Sequence, residues 1–280
     1  SQAQHERLTK VKALAVLSSD AISSVAYATE AILVNLIAAG SLALGLTLPI
    51  SMVIIGLLIV VTISYRQTIP AYPNGGGSYI VAKDNLNVHF GLVAAAALLI
   101  DYVLTVSVSI SSGVDALVSS FGQLAPYNVA IGVGLIALMV IVNLRGVRES
   151  GTIFAAPTYV FVGSFMLMLI VGLFRAITSP GGLVHNIAAG PSSIIPHGAF
   201  DHLSAFLILT AFASGCSAMT GTEAISNGVP IFKQPQSKNA AQTLIAMAVL
   251  LGIMYGGTTF LAWRFGISPQ ANSNPTVIHL

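Results

Sequence analysis

Five carboxylates, Asp20, Glu30, Asp101, Asp115 and Glu223, fall within or near stretches that are otherwise apolar. An ionised carboxylate at the centre of a bilayer costs about 3 kcal/mol or more unless it has a cavity, a partner or a proton. No Lys or Arg stands at comparable depth in these stretches, so ion pairing inside a membrane does not neutralise the acids. They have to be protonated, hydrated or balanced by a cation from outside the chain.

The residues around them are rich in oxygen. Asp20 sits in Ser18-Ser19-Asp20-Ala21-Ile22-Ser23-Ser24. Short polar side chains there compete with the backbone for hydrogen bonds, so a helix can unwind. Ser214-Gly215-Cys216-Ser217-Ala218-Met219-Thr220-Gly221-Thr222-Glu223 is a similar interruption late in the chain. Asp101, Thr105 and Ser109 recur every four residues and so share one helix face. Tyr102 is adjacent and Ser112 extends the stripe. Hydroxyl and carboxylate oxygens in a row suit a hard cation. Tyr27 follows Asp20 by seven residues, and Glu30 shares its face. The plainer reading of such stripes is close helix packing, for which Ser, Gly and Thr are equally suited. A pair of interruptions, each beside a carboxylate, favours a polar pathway instead. Asp115 lies near the outer end of its stretch, where water reaches it.

Other patterns carry less chemistry. Tyr72-Pro73-Asn74-Gly75-Gly76-Gly77-Ser78-Tyr79 lacks the Lys-Ser/Thr ending of a phosphate-binding loop, so it reads as a turn packed against the broken helices. His5, His89, His185, His197, His202 and His279 are scattered without metal-site spacing. Cys216, the single cysteine, excludes a disulfide framework. No nucleophile–base arrangement stands out, and an enzyme is not expected.

The elements that must position these groups are membrane spans. The chain of 280 residues is 55% hydrophobic and only 7% charged, against about 25% charged in soluble domains. Stretches of about 20 apolar residues suffice to cross a bilayer. Seven are expected, at Leu14–Ala39, Thr47–Tyr65, Phe90–Leu117, Tyr127–Asn143, Thr152–Phe174, Leu203–Phe232 and Ala240–Trp263. They form a single membrane domain over residues 1–280. With the N-terminus inside, Arg7, Lys10, Lys12, Arg66, Lys83, Arg145, Arg148, Lys233 and Lys238 fall on the cytoplasmic side, and only Arg175 and Arg264 fall outside. That asymmetry is the positive-inside bias. It argues against the familiar seven-helix receptors, whose N-terminus is outside. Interruptions in the first and sixth spans, five helices apart, are the sequence sign of an inverted-repeat transporter.

The run Ser18-Ser19-Asp20-Ala21-Ile22-Ser23-Ser24-Val25-Ala26-Tyr27-Ala28-Thr29-Glu30 resembles the first helix of the KimA-type potassium importers. These are KUP-family members of the amino acid–polyamine–organocation superfamily. Pro73-Asn74-Gly75-Gly76-Gly77-Ser78-Tyr79 is similar to the superfamily's connection between helices two and three. Thr220-Gly221-Thr222-Glu223-Ala224-Ile225-Ser226-Asn227-Gly228 resembles its sixth helix. The resemblance covers essentially the whole chain. It implies an all-α, LeuT-like inverted-repeat fold, of which these residues are the front seven helices, and proton-coupled potassium uptake at the cell membrane. Carried over by position, the ion-binding set is Asp20, Tyr27, Asp101, Tyr102, Thr105, Ser109 and Thr220. Glu30 and Glu223 are candidates for the coupled proton. No cofactor is implied beyond potassium and protons as transported species. Membrane lipid is the expected partner, a homodimer is compatible with the pattern, and nucleic acid is not expected. An amino acid permease of the same superfamily is the alternative, although Asp20 would repel a substrate carboxylate. A non-transporting scaffold or receptor is the alternative of another class.

Overall fold

The computed structural model of the protein describes residues 7–37, 41–144, 147–178 and 204–267. The glycine- and proline-rich 179–203 connection with His185, His197 and His202, the C-terminal stretch from 268 with His279, and also His5 and Arg145 lie outside the described residues.

Helices α1 (Lys10–Leu17) and α2 (Ser19–Ile37) make the first span. A 3-10 turn, Ser41–Leu46, leads into α3 (Thr47–Ala71), the second span. The short α4 (Gly77–Asn85) precedes α5 (Val88–Ser120), the third span. A further 3-10 turn, Gly122–Tyr127, leads into α6 (Asn128–Asn143), and α7 (Val147–Thr178) follows as the fifth span. The sixth is composite: α8 (Ala205–Gly215), a 3-10 turn Cys216–Met219, α9 (Ala224–Asn227) and a last 3-10 turn Val229–Ile231. The seventh is α10 (Gln236–Phe265). Among the described residues, six helices are long and apolar enough to cross a membrane, and Ala205–Met219 is a shorter apolar one. The fold is all-α, with no strand among the described residues beyond one isolated bridge, Leu8 to Phe232.

Most helices outrun the spans expected from apolarity. The third begins at Val88 rather than Phe90, because Asn87 caps it, its Oδ1 accepting from the amides of His89 and Phe90 at 2.9 and 3.2 Å. Ser204 caps α8 in the same way, accepting from Leu207. Gly266, at φ 63°, ends α10 with a left-handed residue. Helix ends in water are set by caps, while apolarity marks only the segment that lipid covers.

The buried centre joins α2, α3, the sixth span and α10. Tyr255, Phe232, Ile22, Ile32, Leu36, Ile54, Leu244, Met247 and Leu251 are among its largest members. Small residues let the helices approach: a Cβ on Gly215 would stand 2.6 Å from Ile32 and 2.7 Å from Ile54. Polar groups at this depth pair between helices. Thr29 bonds Thr259 at 3.1 Å, Thr259 bonds Ser51 at 3.3 Å, and Ser51 bonds Tyr255 at 3.0 Å. By contrast, α6 buries none of its residues, and most of α5 turns apolar side chains outward.

Candidate functional site

The sixth span is broken where its residues predict. The α-helix ends at Gly215 in the 3-10 turn Cys216–Met219, and Thr220 takes an extended ψ of 147°. Gly221 follows at φ 76°, a left-handed value natural to glycine. Its missing side chain matters, because a Cβ there would lie 2.7 Å from Asp20 Oδ2 and 3.1 Å from the Ala21 nitrogen. The break thus brings its backbone directly onto the Asp20 carboxylate.

The first span is interrupted at Ser18 alone. Backbone bonds from Ser18 to Leu14 and from Ile22 to Ser18 carry the helix through the bend. Ser19 through Ser24 are helical, since Ser23 and Ser24 both donate back to the Asp20 carbonyl, at 2.9 and 3.0 Å. This i−3/i−4 bonding spends the hydroxyls on a helix instead of unwinding it.

Two layers result. In the first, Asp20 from α2, Asp101 from α5 and Glu223 from the sixth span lie close enough to act on one another electrostatically. Glu223 is buried and its Oε1 has no hydrogen-bond partner. The charges that act on Asp20 and Glu223 are those of the other carboxylates. Tyr102 belongs to this layer: its hydroxyl faces Glu223 and accepts from Asn227 Nδ2 at 2.9 Å.

Ser109 lies eight residues along α5 from Asp101, which is about 12 Å further from the N-terminal side of the bundle. There the second layer is a lattice of hydroxyls. Ser24 Oγ is 2.9 Å from Tyr27 Oη and 3.0 Å from Thr220 Oγ1. Tyr27 Oη is 3.3 Å from Ser109 Oγ, and Thr220 donates to the Ser217 carbonyl at 2.9 Å. Each hydroxyl carries one proton. The protons of Ser24, Tyr27, Ser109 and Thr220 are too few to fill all these separations together with the Ser24–Asp20 bond. At least one oxygen pair is therefore left without a proton between its members, as in a lattice with spare capacity to coordinate a cation. Thr105, buried, sits on the same α5 face between the layers.

Beyond the second layer, a cavity of about 710 Å³ opens towards the ends of α2 and α5 away from the N-terminus. Tyr27, Glu30, Asn35, Ser109, Ser112 and Asp115 line it. Glu30 and Tyr27 thus share a face, as their spacing implies, but Glu30 stands apart from the layer of Asp20, Asp101 and Glu223. Asp115 is exposed at the cavity's rim.

Every residue of the expected ion set is therefore found on spans one, three and six, distributed over these layers. Two participants were not singled out by sequence. Ser24 is the node of the hydroxyl lattice, and its spacing of four from Asp20 and three from Tyr27 is the signal that could have found it. Asn227 bonds Tyr102 across 125 positions, which no local spacing announces. The Gly75–Gly77 turn does pack on the broken helix, since a Cβ on Gly75 or Gly77 would collide with Asn227.

Comparison with known proteins agrees with this architecture. Over 268 residues, 96% of this chain, the sequence is 47% identical to the Potassium transporter KimA of Bacillus subtilis, covering 43% of that protein. It is 26% identical over 234 residues to the Probable potassium transport system protein Kup 1 of Bradyrhizobium sp., covering 80% of this chain and 36% of that one. The chain thus spans less than half the length of these relatives. The amino acid permease family model matches residues 8–277. With that match running across a helical bundle whose sixth span is broken beside a carboxylate, the chain belongs to the amino acid permease family.

Proposed function

We propose that the protein is a secondary active transporter that takes up potassium together with protons across the cell membrane. The observation that carries this reading is the meeting of Asp20, Asp101 and Glu223, which act on one another as like charges, directly beside an oxygen lattice. Three carboxylates brought together on spans one, three and six favour a cation or protons among them. Potassium in its hydration shell exchanges water for a ring of protein oxygens. Asp20, Asp101 and Tyr102 offer such oxygens in the carboxylate layer, Tyr27, Ser109, Thr220 and Ser24 offer them in the hydroxyl layer, and Thr105 stands between the two. Glu223 or Glu30 exchanges the coupled proton. The bias of basic residues towards one side makes the N-terminus cytoplasmic, so the cavity at the far end is the outer mouth. The relative at 47% identity, named a potassium transporter, supports the choice of ion.

Amino acid uptake is the second reading, favoured by the name of the family. It needs free amides at the first-span break to hold a substrate carboxylate. Here the helix bonds through Ser18, and Asp20 occupies the place facing the sixth-span break. Both features favour a cationic substrate. The test is uptake of rubidium, a potassium analogue, against uptake of amino acids by the full-length protein in proteoliposomes. Rubidium uptake that is lost in Asp20→Asn is expected. Amino acid uptake with rubidium transport absent or untouched by Asp20→Asn would overturn the proposal.

A further inference from the structure

We propose that Asn227 is the latch of an inner gate, holding the N-terminal side of the bundle shut beneath the carboxylate layer by its bond to Tyr102. This rests on the transport reading above and deepens it, because that reading gives Asn227 no part.

Beyond the hydroxyl layer a cavity lined by Tyr27, Ser109 and Asn35 opens at the far end. On the N-terminal side of the carboxylates, Asn227 stands where three segments of the bundle meet. Its Nδ2 donates to Tyr102 of α5 at 2.9 Å. Its Oδ1 is turned onto Gly77 and its carbonyl onto Gly75, both of which have positive φ and lack the Cβ that would exclude the contact. One side chain thus joins the inner segment of the sixth span to the third span and to the connection between the second and third.

The surroundings fit a latch better than a permanent rivet. Asn227 Oδ1 is buried and has no hydrogen-bond partner, so only one of the two polar ends of this side chain is satisfied in the closed arrangement. Opening would let water reach Oδ1 and offset the loss of the Tyr102 bond, which keeps the two arrangements close in free energy. Tyr102 also faces Glu223, so a change of charge at that carboxylate acts on the atom that the latch holds. The neighbouring seam is made of backbone bonds, Leu8 to Ile231 at 2.8 Å and Lys233 to Leu8 at 3.0 Å, which no side chain substitution in α5 would loosen. Asn227 is therefore a positioning residue: it acts through Tyr102 and the glycine turn, not on the ion.

The test uses the full-length protein with Cys216→Ser and Ser226→Cys. Ser226 is 2% exposed beside Asn227, so its thiol reports an opened inner path. Alkylation by a membrane-impermeant maleimide from the cytoplasmic side is compared with Asn227 intact, with Asn227→Ala and with the near-isosteric Asn227→Leu, which keeps the bulk and has neither donor nor acceptor. Both variants should react roughly threefold to tenfold faster, the population shift that loss of one such bond produces. Equal rates in all three would overturn the proposal, and this readout needs no transported ion. In rubidium transport, both variants should weaken apparent affinity from outside and strengthen it from inside. A loss on both sides alike would make Asn227 part of the ion site and not a gate. Absence of rubidium transport even with Asn227 intact would defeat the potassium reading alone, leaving the alkylation result to decide the gate.

Discussion

The hydroxyls of Ser24 and Thr220 lie 3.0 Å apart, although 196 positions separate them in the chain. Ser24 also reaches Tyr27 and the Asp20 carbonyl, so a single oxygen ties the helix of the first span to the break of the sixth. Replacing Ser24 by alanine removes this node while leaving every carboxylate in place. Rubidium uptake should persist with an apparent KM raised about tenfold, the equivalent of one hydrogen bond or coordinating oxygen of 1–2 kcal/mol. The concentration dependence of uptake checks it, and an unchanged KM would remove Ser24 from the site.

Gly221→Ala should damage both fold and function. The residue holds a left-handed φ of 76°, where an L side chain is strained, and the new methyl would sit 2.7 Å from Asp20 Oδ2. Backbone strain of this kind costs about 1–3 kcal/mol. Thermal unfolding in detergent should fall accordingly. Uptake should fall further than stability explains, because the carboxylate must move. Equal loss in both would make Gly221 a folding residue only.

How much of this was legible beforehand differs by layer. Asp20, Asp101 and Glu223 stand out because charge is rare among apolar residues, and a chemical anomaly needs no tertiary information. The stripe of Asp101, Thr105 and Ser109 is equally plain, since helical period alone puts them on one face. The expected unwinding of the Ser18–Ser24 run is confined to Ser18, because composition cannot tell whether a serine will compete with the helix or bond back onto it. Asn227 was invisible as a functional residue for another reason. Its role depends on Tyr102 and on glycines 150 or so positions away in sequence, a meeting that only the closed bundle creates.

The buried chain of Thr29, Thr259, Ser51 and Tyr255 should matter to stability alone. It joins the first, second and seventh spans away from the carboxylates. Thr259→Val keeps the volume and leaves Thr29 without its partner. Hydrogen bonds between membrane helices are worth about 0.6 kcal/mol on average and up to about 1.7. A loss in that range is expected by thermal unfolding, with the rubidium KM unchanged. A shifted KM would mean that this seam moves during transport.

Neutralising one acid should separate stability from function most clearly. Asp20, Asp101 and Glu223 act on one another as like charges, so an empty site in potassium-free buffer is expected to cost stability. Asp101→Asn removes one member and leaves its shape. The empty variant should therefore melt higher than the unsubstituted protein, by about 2–4 °C for each kcal/mol of repulsion relieved. Adding potassium should reverse the order. A ligand that binds only the folded form stabilises it by RT ln(1 + [L]/Kd), about 2.7 kcal/mol at a hundredfold excess over Kd, and Asp101→Asn forfeits most of that gain. Melting curves with and without potassium chloride, with choline chloride holding ionic strength constant, give both quantities from one preparation. If Asp101→Asn melts lower when empty and gains as much from potassium as the unsubstituted protein, Asp101 is a packing residue and the crowded acids are not what the ion answers.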